Sequence, residues 1–143
     1  MRVRFAAAVL AALAMLGIAA RAERQEATRG GWTIPPEAKQ ERNPIAVTPQ
    51  VLAAGRALYE KNCERCHGPK GVGDGPDADP EYMADMDLTN PKRAARNPDG
   101  VVFYKIWNGR QKPKMPAFRE ELTREQVWTL VAYVQTLRKP PAE

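Results

Sequence analysis

Histidine is almost missing from this 143-residue chain: His67 is the single one, and cysteine occurs only at Cys63 and Cys66. A zinc centre draws about four Cys, His or carboxylate ligands, and a metal held between two imidazoles needs two histidines. The second arrangement would require another chain. Aromatic residues are also sparse, at 7%. The length fits one domain and excludes a multidomain enzyme. Proline and glycine contribute 13 and 10 residues, short of the roughly 25 to 30% at which low complexity becomes the leading reading. There is no catalytic triad, no carboxylate dyad at a defined spacing and no phosphate loop. What remains is a folded domain with long irregular connections, and it is not expected to be an enzyme.

Residues 1–22 are read as a secretory signal. Arg2 and Arg4 form its basic start, Phe5 to Ala20 is an uncharged run of 16 residues with eight alanines, and Ala20-Arg21-Ala22 is a small-x-small cleavage site. A membrane helix usually needs about 20 more strongly apolar residues, so cleavage is favoured over a retained anchor. Removing 22 of 143 residues leaves 121, and the loss of Arg2, Arg4 and Arg21 takes the net charge from +5 to +2. Export to the periplasm is the expected localisation. Membrane association through the N-terminal segment or a partner complex is the alternative.

Residues 23–47 carry charges, three prolines and scattered apolar side chains, with no helical or strand period. Composition favours a mobile, extended linker. Trp32 and Ile34 leave open a second reading, in which this arm lies across the domain or grips a partner.

The domain is placed at 48–140. Thr48-Pro49 is a helix start, Thr being a good N-cap and Pro suiting the first turn. Val51, Leu52, Gly55, Leu58 and Tyr59 then recur at helical spacing to Asn62. Thr123 and Gln126 form a capping box for a final helix with Val127, Leu130, Val131, Val134 and Leu137 on its apolar stripe. A third helix is predicted from Asn97-Pro98 to Trp107. Residues 68–96 and 109–122 read as irregular, and no alternating strand is visible. Three modest helices leave a small core for so many ordered residues. Something else is needed to fill the centre.

Cys63-Glu64-Arg65-Cys66-His67 indicates what that is. C-x-x-C-H is the attachment signature of c-type haem. Residues i, i+3 and i+4 share one face of a helical turn, so two thiols can form thioethers with the two vinyl groups while the adjacent imidazole reaches the iron. A C-x-x-C disulfide or dithiol would normally accompany a strand-helix unit, which is absent from the sequence pattern. A zinc site would lack ligands.

With that run in place, residues 48 to 139 resemble the class I cytochromes c, specifically the small single-haem bacterial ones. The matching elements are Gly55-x-x-x-Tyr59-x-x-x-Cys63, Cys66-His67-Gly68, Gly71-x-Gly73-Asp74-Gly75, Asp87-Leu88-Thr89, Asp99-Gly100, Ile106-x-x-Gly109, Met115-Pro116-Ala117-Phe118 and Leu130-Val131-x-Tyr133. The resemblance implies an all-α fold, with helices wrapped around one covalent haem and long loops. It also implies that the first and last helices cross at Gly55, with Tyr59, Leu130 and Tyr133 around the contact.

Of the methionines beyond the signal, Met83, Met86 and Met115, the Met115-Pro116-x-Phe pattern resembles the family's distal ligand loop. One haem c is therefore expected, attached through Cys63 and Cys66 and ligated by His67 and Met115. Met86 is the best alternative ligand, and Met83 and Met86 are otherwise read as gap-fillers. Two occupied axial positions favour single-electron transfer between redox proteins over substrate chemistry. The readings carried forward are a periplasmic carrier, a fixed subunit of a membrane oxidoreductase or terminal oxidase, and a gas- or peroxide-responsive protein in which Met115 dissociates.

Lys105, Arg110, Lys112, Lys114 and Arg119 form a stretch without acids, and Arg65 and Lys70 flank the haem peptide. A cationic ring at the haem edge would dock partners with acidic surfaces; the bland alternative is a solvated loop. Asp74, Asp77, Asp79, Glu81, Asp85 and Asp87 form an opposing acidic run that matches no EF-hand. Nucleic-acid binding is set aside, because the cations are not interleaved with stacking aromatics. Tyr104, Trp107 and Arg110 are positional candidates for hydrogen bonds to haem propionates, with core packing favoured for Trp107.

Overall fold

The structure is a computed structural model that describes residues 32–138. The expected signal at 1–22, and the Lys139-Pro140 close of the last helix, lie outside the described residues. Trp32 and Thr33 group with the N-terminal segment, and the chain from Ile34 onward forms one compact unit.

Within the described residues the order is α1 (Pro36–Gln40), α2 (Pro49–Asn62), α3 (Glu64–His67), a 3₁₀ turn (Pro80–Tyr82), α4 (Met83–Met86), α5 (Pro91–Ala94), α6 (Asp99–Asn108) and α7 (Arg124–Thr136). The fold is all-α, and β pairing among these residues is confined to one isolated bridge, Arg110 with Met115.

The long helices begin where local chemistry places them. Thr48 Oγ1 accepts from the Val51 N–H at 3.2 Å, and Pro49 occupies the first turn of α2. Thr123 and Gln126 bond reciprocally at the start of α7, at 2.9 and 3.2 Å. Each pair satisfies amide donors that a helix start would otherwise leave without acceptors.

Helices α2 and α7 cross at Gly55. A Cβ on Gly55 would lie 2.6 Å from the Thr129 carbonyl oxygen and 2.8 Å from the Tyr133 Cβ. Tyr59, Val127, Leu130 and Val131 are fully buried beside the crossing, and the Tyr59 and Tyr133 rings sit 5.4 Å apart, tilted by 56°. Helix α6 closes the core with Val102, Phe103 and Ile106. Phe103 stacks on Trp128 at 4.2 Å and on Trp107 at 5.6 Å, so Trp107 is engaged in packing.

The segment 34–47, with a linker and a docked arm both open from sequence, is built into this unit. Helix α1 packs against α6 and buries Ala38. The Gly100 N–H donates to the Glu41 carbonyl at 3.2 Å, and Asn43 Nδ2 donates to the Trp128 carbonyl at 2.9 Å. These contacts tie the arm to α6 and α7 through backbone groups.

The irregular stretch 68–96 holds the 3₁₀ turn, α4 and α5, which hydrophobic periodicity misses because each is a single turn. Their local signals are Asp79-Pro80 and Asn90-Pro91. The Asp79 carboxylate accepts from the Glu81 N–H at 3.0 Å, and Asn90 Oδ1 accepts from Lys92 and Arg93 at 3.0 and 3.4 Å.

Candidate haem site

Cys63 is the joint between α2 and α3, with φ −124° and ψ −32° that break the helix for one residue. Its carbonyl accepts from the N–H groups of Cys66, at 3.2 Å, and His67, at 2.9 Å. The C-x-x-C-H run is thus a single hydrogen-bonded turn. Both thiols are free and half-buried. Burial pushes the Cys63 thiol up to about 12 and also raises Cys66, so both are held as neutral thiols.

His67 Nδ1 lies 2.6 Å from the Met86 carbonyl oxygen. A carbonyl can only accept, so Nδ1 carries the proton. Burial lowers the His67 pKa from 6.5, outweighing the Met86 bond that raises it, with the Arg110 charge lowering it further. The ring is therefore neutral at pH 7 and Nε2 keeps its lone pair, the form that ligates a metal. Met86, the alternative axial residue from sequence, acts on His67 through its backbone while its side chain is buried. Met83 is 44% exposed.

The chain after His67 is pinned by Tyr59, whose buried hydroxyl donates to the Gly68 carbonyl at 2.6 Å. Burial is the main cause that raises this phenol's pKa, so it remains a donor. Tyr59→Phe removes one of the two donors to that carbonyl, which keeps the Gly71 N–H at 3.1 Å, and should cost about 1 kcal/mol of unfolding free energy. Urea denaturation of the haem-loaded protein followed by far-UV dichroism measures it; an unchanged midpoint would contradict the role given to the hydroxyl.

The loop bearing Met115 is fixed at both ends. Helix α6 ends at Gly109, whose φ of +60° suits glycine and where a Cβ would lie 2.5 Å from the Ala117 nitrogen. Arg110 and Met115 exchange backbone hydrogen bonds of 2.8 and 2.9 Å, and the Phe118 N–H donates to the Ile106 carbonyl at 3.1 Å. Phe118 is buried, and Met115 and Cys63 pack against the same apolar core. The structure thus places two of the four expected haem-holding side chains on one core, His67 on the turn shared with Cys63, and Cys66 outward, its Sγ 3.8 Å from the Asp77 carbonyl.

The charge runs divide more finely than sequence order implies. Lys105 and Arg110 are half-buried, whereas Arg65, Lys70, Lys112, Lys114 and Arg119 are exposed. A bidentate pair joins Arg65 to Asp77, at 2.6 and 2.9 Å. In the acidic run, Asp85 pairs with Arg93 at 2.6 Å and Asp87 accepts from both the N–H and hydroxyl of Thr89. Asp74, Asp79 and Glu81 face solvent.

A helical core closed around a C-x-x-C-H turn and a methionine loop defines a class I c-type cytochrome. The family model described as cytochrome c oxidase, cbb3-type, subunit III matches residues 50–134, and the chain belongs to this family. Among solved structures, the KustC0563 c-type cytochrome is 30% identical, with 59% of this chain and 98% of that one covered and a TM-score of 0.47. No curated protein matches the chain. The function class is electron transfer, and the family's cofactor is covalently bound haem c. The donor set fits it: two free thiols on one turn, a neutral imidazole with its Nε2 lone pair available, and the Met115 thioether on a loop packed against the same core as Cys63.

Proposed function

We propose that the chain is a periplasmic single-electron carrier holding one haem c through Cys63 and Cys66, with His67 and Met115 as the axial residues. The observation that carries this reading is the Nδ1–H bond from His67 to the Met86 carbonyl, which fixes both tautomer and ring orientation. The haem supplies a reversible one-electron couple. The chain's residues hold the imidazole neutral, keep the methionine loop closed through the Arg110–Met115 bridge, and pack apolar side chains that exclude water. An electron carrier needs little reorganisation between its two oxidation states, and a site fixed by backbone hydrogen bonds provides that.

The family description favours a second reading, a fixed haem subunit of a membrane oxidoreductase or terminal oxidase. Among the described residues no helix is long and apolar enough to cross a membrane. Osmotic release of the periplasm separates the two: a free carrier appears in the released fraction, and a fixed subunit stays with detergent-extracted membranes.

For docking, we propose a redox partner with an acidic surface, met by the exposed Lys70, Lys112, Lys114 and Arg119. In stopped flow, oxidation of the reduced holoprotein by such a partner should slow several-fold between low and physiological ionic strength. A small neutral oxidant should show no such slope. A salt-independent rate with the acidic partner would remove the steering role.

A further inference from the structure

The His67 ring takes its orientation from the Met86 carbonyl, 2.6 Å from Nδ1. That carbonyl ends α4, a helix of a single turn. One turn is too short to hold itself together, and the last carbonyls of any helix have no partner inside it. The position of this acceptor is therefore set by contacts outside α4.

Two sets of contacts do so. Beneath the turn the 68–73 loop supplies backbone: the Gly73 N–H donates to the His67 carbonyl at 2.8 Å, and the Leu88 N–H donates to the Gly71 carbonyl at 2.7 Å. A Cβ on Gly73 would lie 2.7 Å from the Met83 carbonyl oxygen, so loop and turn touch backbone to backbone. Beside the turn lies Arg93. Its Nη2 donates to Asp85 Oδ1 at 2.6 Å and its Nη1 to the Asp85 carbonyl at 3.5 Å. Asp85 precedes Met86, so the guanidinium grips both the carboxylate and the main chain one peptide away from the acceptor.

Arg93 has a fixed seat of its own on α5. The Arg93 carbonyl accepts from Asn97 Nδ2 at 2.6 Å, the Ala94 carbonyl from Arg138 at 2.8 Å, and Asn97 Oδ1 from Lys105 Nζ at 2.5 Å. Helix α5 is thus bonded to α6 and to the chain just beyond α7. The Asp85 and Arg93 side chains are 29% and 34% exposed. A pair this exposed adds little to stability, but two donors from one planar group fix direction as well as distance. What it supplies is position.

We propose that the Asp85–Arg93 pair is a latch that holds the Met86 carbonyl on His67, making both side chains positioning residues that set the donor strength of the axial imidazole. This rests on the haem reading above. A hydrogen bond accepted from Nδ1 makes the imidazole a stronger donor, and a stronger donor favours oxidised iron. Opening the latch weakens that bond and raises the reduction potential. Field effects alone give a different pattern: loss of the cation favours the oxidised state, loss of the anion the reduced state, and loss of both largely cancels.

The test uses the full chain matured with haem, with mass spectrometry first reporting covalent attachment. Wild type is compared with Asp85→Asn, Arg93→Gln, the double variant of the two, the conservative Arg93→Lys, and Arg56→Gln, which breaks the exposed Arg56–Glu60 pair on α2. In potentiometry the charge-balanced double variant should favour reduction by about threefold, the scale of a weakened rather than a lost hydrogen bond. Asp85→Asn should be raised more than Arg93→Gln, and Arg93→Lys, which keeps a cation for Asp85, should move least of the four. Proton NMR of the reduced holoprotein reads the bond itself. The His67 Nδ1–H should exchange with water several-fold faster in Asp85→Asn, Arg93→Gln and the double variant, and at the wild-type rate in Arg56→Gln.

A double variant at the wild-type potential, with its single variants moved in opposite directions, would reduce the pair to a field effect and overturn the latch while leaving the haem reading standing. An unchanged Nδ1–H exchange rate in the double variant would do the same. Equal acceleration in Arg56→Gln would mark general loosening of the fold and also overturn it. Failure of wild type to attach haem would overturn both readings.

Discussion

Met115→Ala should lower the reduction potential of the haem-loaded protein and remove the weak methionine-dependent absorption in the near red, as expected of an axial Met115. A thioether is a soft, neutral donor that favours reduced iron. Its loss would remove that preference and shift the balance toward the oxidised state. The shift should be at least roughly a hundredfold in the reduction equilibrium, two steps of 59 mV each. Met86→Leu is the matched control. It conserves volume, so packing should cost less than about 1.5 kcal/mol, and the His67 bond is made by the backbone carbonyl and survives. Potentiometry and the optical spectrum of both variants decide the matter. Loss of the band in Met86→Leu, or its persistence in Met115→Ala, would move the axial assignment away from Met115.

Gly55→Ala destabilises the fold, although alanine is the better helix former. Propensity alone would give about 1 kcal/mol in its favour. The added Cβ, however, meets the Thr129 carbonyl at 2.6 Å and the Tyr133 Cβ at 2.8 Å. Neither is the free end of a flexible side chain, and the fully buried Tyr59 and Leu130 prevent the helices from sliding apart. Overpacking of this kind costs about 1 to 3 kcal/mol or more, and a clash with backbone belongs at the high end. The net loss should be about 2 kcal/mol, a fall in Tm on the order of 10 °C for a domain of this size. Ala54→Gly, at the exposed neighbouring position, should cost only the propensity of about 1 kcal/mol. Calorimetry of the two holoproteins tests the contrast, and a Gly55→Ala variant that melts at or above wild type would mean that the crossing has room to spare.

The exposed part of the cationic surface was legible as composition but not as placement. Lys105 and Lys112 look alike in a linear reading of the stretch from Lys105 to Arg119. The fold turns Lys105 under Asn97 and leaves Lys112 in water, because one lies on α6 and the other on the methionine loop. Likewise Met86 carries a ligand-type side chain, yet its contact with His67 is made by a carbonyl. No residue identity encodes that, since every residue has one. The arm shows the same limit: nothing in Asn43 announces that its amide will reach a carbonyl of Trp128.

Events that need only neighbouring residues are legible along the chain. Thr48-Pro49 and Thr123 with Gln126 start the two long helices, since capping needs only neighbouring atoms. Cys63, Cys66 and His67 form one turn, since the bonds that close it run between neighbouring backbone groups. Tertiary structure decided what depends on distant backbone meeting side chains: the tautomer and orientation of His67, the docking of the 34–47 segment on α6 and α7, and the bonding of Lys105 and Arg138 to Asn97. Those outcomes follow from the direction of carbonyls and the closeness of segments far apart in sequence, and both are set only when the core packs.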